Sequence, residues 1–265
     1  MFDLIISGGT VVSPTSSREM DVAIRAGKIV AVAVPGDLGG SATRMVDGRG
    51  LYVLPGAIDP HTHIFPEFLG LKLPGFDVAT QAAAFGGTTT IIDFAFQREG
   101  IAIQQALDQR LAEIGAKSSI DYSLHATLTA PSWELLHELD AAFARGVPSF
   151  KILLHEREGR PPEEALCLVL LQEVAARNGV VTVHAENASL VTYFTRKLLA
   201  EGKTGQEYFS AARPAIAEAE SVERMIFLAE KAGAAVYFVH LSSADAVDLV
   251  AKAKARGLPI YGETC

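Results

Sequence analysis

SFKILLHEREGRPPEEALCLVLLQEVAARNGVVTVH, residues 149–184, reads as strand, helix, strand. Ser149–Leu154 and Val180–His184 are short apolar runs, and between them Glu163–Arg177 repeats its apolar residues at helical spacing. A helix joining two strands is a parallel crossover, and parallel strands that are apolar throughout are covered on both faces. The pattern extends in both directions. Strand-like runs at Leu51–Ile58, Thr88–Ala95, Tyr122–Leu128, Val236–Leu241 and Leu258–Gly262 make seven in all, with helical patterns at Gln104–Ala116 and Ser221–Lys231 among them. The predicted class is therefore α/β, a TIM-like (β/α) barrel lacking its last strand, because eight are needed for closure. An open dinucleotide-binding sheet would put a glycine-rich phosphate turn after its first strand. Asp59-Pro-His61-Thr-His63 stands there instead, and no phosphate-loop motif occurs elsewhere.

Upstream the texture changes. Residues 2–54 hold short β-branched or alternating runs separated by Gly8-Gly9, Ala26-Gly27 and Gly39-Gly40, the pattern of a small antiparallel β module. The expected domains are 1–54 and 55–265. A formal charge of −8 argues against a nucleic-acid partner, whose affinity would come from Lys and Arg. No apolar run approaches the roughly 20 residues that span a bilayer, and Met1-Phe2-Asp3 lacks a basic leader, so no membrane association and a cytoplasmic location are expected. Cys167 reads as helix core, and with Cys265 it implies no disulfide framework.

The chemistry lies in where polar residues fall. His61 and His63 are two apart in an extended segment, so both point to one face and can share a cation; the plain alternative is a pair of surface loop histidines. His184 closes one apolar strand and His240 another, at the end where barrel enzymes keep their sites. Lys151 interrupts a third strand. A buried lysine must be compensated, either by a carboxylate ion pair or by losing its proton and taking up CO2 as a carbamate that bridges two cations. Asp93 and His125 also lie near strand ends, where structural hydrogen bonding competes with direct ligation.

Pro55–His63, Gly86–Asp93, Ser149-Phe-Lys151, Val183-His-Ala-Glu-Asn187 and Tyr261–Cys265 together resemble the dihydropyrimidinase and hydantoinase branch of the amidohydrolase superfamily, over the whole chain. The resemblance implies a metal-dependent hydrolase that opens a cyclic amide or imide ring by attack of a metal-bridging hydroxide. It implies two divalent ions, most often zinc, held by His61 and His63 on one side and His184 and His240 on the other, with N6-carboxylated Lys151 between them. It also implies a dimer or tetramer, a catalytic aspartate beyond Cys265, and further C-terminal residues that return to residues 2–54, making that module a partial β-sandwich. On that reading the sequence is an N-terminal portion, and little activity is expected of these 265 residues alone.

One departure bears on specificity. Five residues after its bridging lysine the resembling family has a substrate-contacting tyrosine, whereas this chain has Glu156, preceded by His155. A carboxylate there repels an oxyanion, so Glu156 is either a new substrate contact or a solvated loop residue. Ile64–Phe76 is a candidate lid or oligomer contact. Glu186 and Asn187 are expected to support the loop after His184, and Arg213-Pro214 is read as structural. A catalytically silent relative serving as an assembly scaffold is the competing function, and retention of Lys151 facing four histidines favours the enzyme.

Overall fold

Residues 1–68, 70–155 and 162–264 are described in this computed structural model. In the first of two units, Met1–Ala57, β1 (Phe2–Val12) pairs antiparallel with β2 (Ser17–Arg25), and β2 with β3 (Lys28–Ala33). β4 (Ala42–Asp47) and β5 (Tyr52–Val53) run parallel to β1, because residues 34–41 carry the chain from the β3 edge to the far side of β1. Buried Asp21 pins this arrangement by accepting from Ser7 Oγ at 3.0 Å, Gly8 N at 2.7 Å and Gly36 N at 2.9 Å.

The second unit is Ile58–Cys265. Its strands are β6 (Ala57–Thr62), the hairpin of β7 (Glu67–Phe68) and β8 (Leu71–Lys72), β9 (Thr88–Gln97), β10 (Asp121–Leu128), β11 (Ser149–Leu153), β12 (Val180–His184), β13 (Ala235–Phe238) and β14 (Ile260–Gly262). The helices between them include α1 (Phe76–Phe85), α2 (Ile103–Ile114), α3 (Leu139–Ala144), α4 (Glu164–Ala176), α5 (Ala188–Ala200), α6 (Phe209–Ala212), α7 (Ala215–Ala232) and α8 (Ala244–Ala255). Seven strands form one sheet in chain order, β6-β9-β10-β11-β12-β13-β14, and each pair from β9 to β14 is parallel. The two edges meet at one end, where His61 on β6 contacts Glu263 just after β14, so the sheet is curled rather than flat.

The structure corrects the first expected barrel strand. Leu51–Ile58 is split: Tyr52 and Val53 pair with β1, and the barrel strand starts at Ala57 and includes His61. Pro55-Gly56 interrupts the run, while Pro60, which lacks an N–H, is tolerated inside β6 because β6 is an edge strand. His61 therefore lies within a strand rather than after one, with His63 just beyond its end. His240 likewise falls two residues past the end of β13.

Alternation along the strands positions the site. Phe150 and Ile152 of β11, and Val181 and Val183 of β12, join a core cluster with Leu170, Leu171 and Val174 of α4 and Val222, Met225 and Ile226 of α7. Their neighbours Ser149, Lys151, Thr182 and His184 take the opposite face, which becomes the inside of the curl. Cys167 is buried in that cluster, as expected of helix core, and Cys265 lies outside the described residues.

The turn into β12 is tightly packed. A Cβ on Gly179 would stand 2.6 Å from Pro148 O, 2.7 Å from Phe143 Cζ and 2.8 Å from Val174 Cγ1. Backbone cannot swing aside as a side-chain tip can, so Gly179→Ala is expected to cost about 1–3 kcal/mol of stability in denaturant unfolding. An unchanged midpoint would show that the turn relaxes freely. Among the described residues no helix is long and apolar enough to cross a membrane.

Candidate metal centre

The five residues picked out from the sequence gather at one end of the curled sheet. His61 Nε2 and His63 Nε2 are 3.2 Å apart. Ring centroids separate His61 from His240 by 5.5 Å and His240 from His184 by 4.6 Å. Phe94 of β9 forms the floor, 4.9 Å from the His61 ring and 4.5 Å from that of His63, with Lys151 Nζ 5.5 Å from its centroid. The His61–His63 spacing suits a shared ion, since two nitrogens at 2.0–2.1 Å from a tetrahedral zinc stand roughly 3.3–3.4 Å apart. Among the described residues no three His, Cys, Asp or Glu side chains already converge on one cation position. The approaching groups are two histidine pairs with a lysine near both.

Lys151 is 3% exposed, and among the described residues no carboxylate lies within ion-pair distance of it. Burial pushes its amine down to about 7, with the more distant charge of Glu263 pulling the other way. Lys151 is paired in register with Thr127 on β10, whose buried hydroxyl has no hydrogen-bond partner among the described residues. A basic, uncompensated amine beside an orphaned hydroxyl fits a group that adds acceptor oxygens, as a carbamate does. Burial also lowers the histidines, His184 below its ordinary value and His240 to about 3. Neutral imidazole is the form that binds cations, so the environment favours ligation.

Surrounding residues hold this cluster in place. Asp93 is fully buried and accepts from Arg110 Nε at 2.9 Å, Arg110 Nη2 at 2.6 Å, Phe94 N at 2.6 Å and Ile64 N at 3.0 Å. Arg110 Nη2 also donates to Ile64 O at 2.8 Å, so the ion pair grips both polar backbone groups of the residue after His63. His125 donates from Nε2 to Pro60 O at 2.9 Å and accepts from Ser149 Oγ at 2.6 Å, and burial pushes it down to about 4. Asp93 and His125 are thus structural. Glu186 accepts from His184 Nε2 at 3.3 Å and pairs with Arg213, leaving His184 Nδ1 without a hydrogen-bond partner among the described residues. Asn187 caps α5 through Leu190 N at 3.0 Å and donates to Glu220 at 2.6 Å.

His240 adopts φ +42°, an unusual conformation for a non-glycine residue. The following turn is held by Glu218, which accepts from Ser242 N at 3.0 Å and Ser243 N at 2.7 Å. Glu156 lies outside the described residues, while His155 stands 4.2 Å from the His184 ring. Sequence reasoning missed Glu263 as a site residue, because it sits in a turn-like stretch just after a strand of three. Tyr237, inside β13, was hidden by its apolar neighbours; its hydroxyl donates to Glu263 at 2.8 Å.

No family model matches the chain. It is 36% identical to the D-hydantoinase of Streptomyces coelicolor, over 98% of this chain and 57% of that protein. It is 37% identical to the allantoinase of Rubrobacter xylanophilus, over 100% of this chain and 58% of that protein. The crystal structure of dihydropyrimidinase from Brevibacillus agri superposes with a TM-score of 0.91 at 36% identity, covering 98% of this chain and 57% of that one. The chain therefore spans a little over half the length of the relatives it matches. In fold, and in sequence across nearly its whole length, the chain is similar to members of the hydantoinase and dihydropyrimidinase branch of the amidohydrolases.

Proposed function

We propose that the protein hydrolyses a ring C–N bond of a small cyclic amide or imide at a two-cation centre, with His61 and His63 holding one cation, His184 and His240 the other, and carboxylated Lys151 between them. The observation that carries this reading is a buried lysine with no carboxylate partner among the described residues, set among two histidine pairs at the strand ends. Carbamate formation joins the neutral Lys151 amine to CO2 and releases one proton, which removes the cost of an unpaired buried ammonium. Two divalent cations, zinc by expectation, supply Lewis acidity that activates water and polarises an amide carbonyl. His184 and His240, lowered by burial, present neutral nitrogens, Phe94 closes the floor, and the Asp93–Arg110 pair fixes the His61–His63 segment. Relatives named D-hydantoinase, allantoinase and dihydropyrimidinase support substrates of the hydantoin, allantoin and dihydropyrimidine type.

Elemental analysis of protein purified without added metal tests the centre, alongside intact mass measured in bicarbonate. Near two cations per chain, with a carbamate-sized mass increase that disappears in Lys151→Ala, is the expected result. Protein that carries neither metal nor adduct, even with zinc and bicarbonate supplied, would sink the reading.

A further inference from the structure

We infer that Glu263 is a positioning residue that sets the tautomer and ring orientation of His61 for cation binding, an inference that rests on the two-cation reading above. Its backbone is tied at both polar groups, to the end of β13 and to the turn after it: Glu263 N donates to Phe238 O at 3.0 Å, and Glu263 O accepts from Leu241 N at 2.7 Å. The carboxylate thus stands at a defined point in the centre. One oxygen contacts His61 Nδ1 and the other accepts from Tyr237 OH at 2.8 Å. Both carboxylate and imidazole are largely buried, with side chains 17% and 15% exposed.

An ionised carboxylate only accepts, so in the neutral imidazole that binds a cation His61 carries its proton on Nδ1. Nε2 is then the lone-pair nitrogen, and it is this atom that lies 3.2 Å from His63 Nε2. The chain Tyr237–Glu263–His61 is a carboxylate–histidine relay aimed at the first cation position, and such partners raise ligand basicity as well as fixing geometry. Tyr237 prevents the carboxylate from rotating away, and burial with this hydrogen bond pushes its phenol up to about 12, which keeps it a donor. Because β6 and β14 are the two edges of the sheet, the contact also joins strands that share no ladder. Glu263→Gln keeps a side chain that can bridge the edges but removes the charge, and so separates the two roles.

Zinc affinity is measured by competition with a chromophoric chelator on wild type, Glu263→Gln and Tyr237→Phe, with ¹⁵N-histidine spectra and denaturant unfolding of the chelator-treated proteins. Glu263→Gln is expected to bind the zinc assigned to His61 and His63 about 10–100-fold less tightly at little cost in folding stability. Tyr237→Phe, which keeps the His61–Glu263 contact and its fold, is expected to show a smaller loss in the same direction, and wild-type His61 to be protonated at Nδ1. Wild type that binds zinc while both variants match it, or a His61 proton on Nε2, overturns this inference alone. Wild type that binds no zinc overturns it together with the two-cation reading. Should Glu263→Gln fail to fold, unchanged zinc affinity in Tyr237→Phe is the overturning result.

Discussion

Arg110→Met is expected to cost about 3–5 kcal/mol of folding stability, the range for removing one partner of a buried ion pair and stranding the other charge. Asp93 has no solvent to turn to, and the remaining hydrogen bonds to its carboxylate come from the backbone amides of Ile64 and Phe94. Burial already pushes the Asp93 carboxyl above its usual range, against the pull of Arg110, so the variant relieves part of the penalty by binding a proton there. The guanidinium also covers Phe76 at 4.7 Å and Phe65 at 5.3 Å from their ring centroids, and methionine recovers part of that packing. Urea unfolding of the two proteins at neutral pH measures the difference. A loss below about 1 kcal/mol, the size of an exposed pair, would mean that the pair is screened and does not clamp the chain. Because Ile64 follows His63, the variant should also bind the first zinc more weakly, a second readout independent of the unfolding midpoint.

Much of the barrel is legible because each of its buried strands is a continuous apolar run separated from the next by a helical period. β12 runs from Val180 to His184 as read, and the starts and ends of β9, β10, β11 and α4 shift by no more than two residues. The first strand was misread for a physical reason. Leu51-Tyr-Val-Leu54 is as apolar as a barrel strand, but which sheet it joins depends on the partner that Thr10 and Val11 offer, and no local pattern records that. The direction of β4 and β5 beside β1 is equally nonlocal, set by where residues 34–41 and 48–51 deliver the chain.

At the site, ligand-type residues were legible where they broke a pattern. A lysine inside Phe-Lys-Ile-Leu and histidines ending apolar runs are conflicts between local polarity and burial, and such conflicts collect at functional positions. Glu263 broke no pattern, since it sits among turn-like residues after a strand of three, and its importance appears only when curling brings it to His61, 202 positions away. Arg110 was invisible for a related reason. It occupies an amphipathic helix where arginine is ordinary, and only the packing of α2 on β9 turns it inward to Asp93.

Lys151→Met should reverse sign between metal-free and metal-loaded protein. In chelator-treated, CO2-free protein the lysine is a liability, because its folded amine is pushed down to about 7 whereas an unfolded lysine titrates near 10.4. Below about pH 7 both states are protonated and the burial penalty is carried in full. Between about 7 and 10 the unfolded state binds more protons than the folded one, so wild-type stability rises with pH, by at most about 1.4 kcal/mol per pH unit. Above that window both are neutral and the penalty is gone. Methionine is uncharged throughout, so at pH 7 the variant should be more stable than wild type by a few kcal/mol, and the gap should close by about pH 10. Adding zinc and bicarbonate turns the lysine into an asset: wild type gains in proportion to the logarithm of free zinc over its dissociation constant, about 4 kcal/mol at a thousandfold excess, and the variant gains far less. Denaturant midpoints across this pH range, with and without zinc, decide it. A variant no more stable than metal-free wild type at pH 7 would place a hidden countercharge beside Lys151, and equal zinc stabilisation of both proteins would remove the lysine from the cation centre.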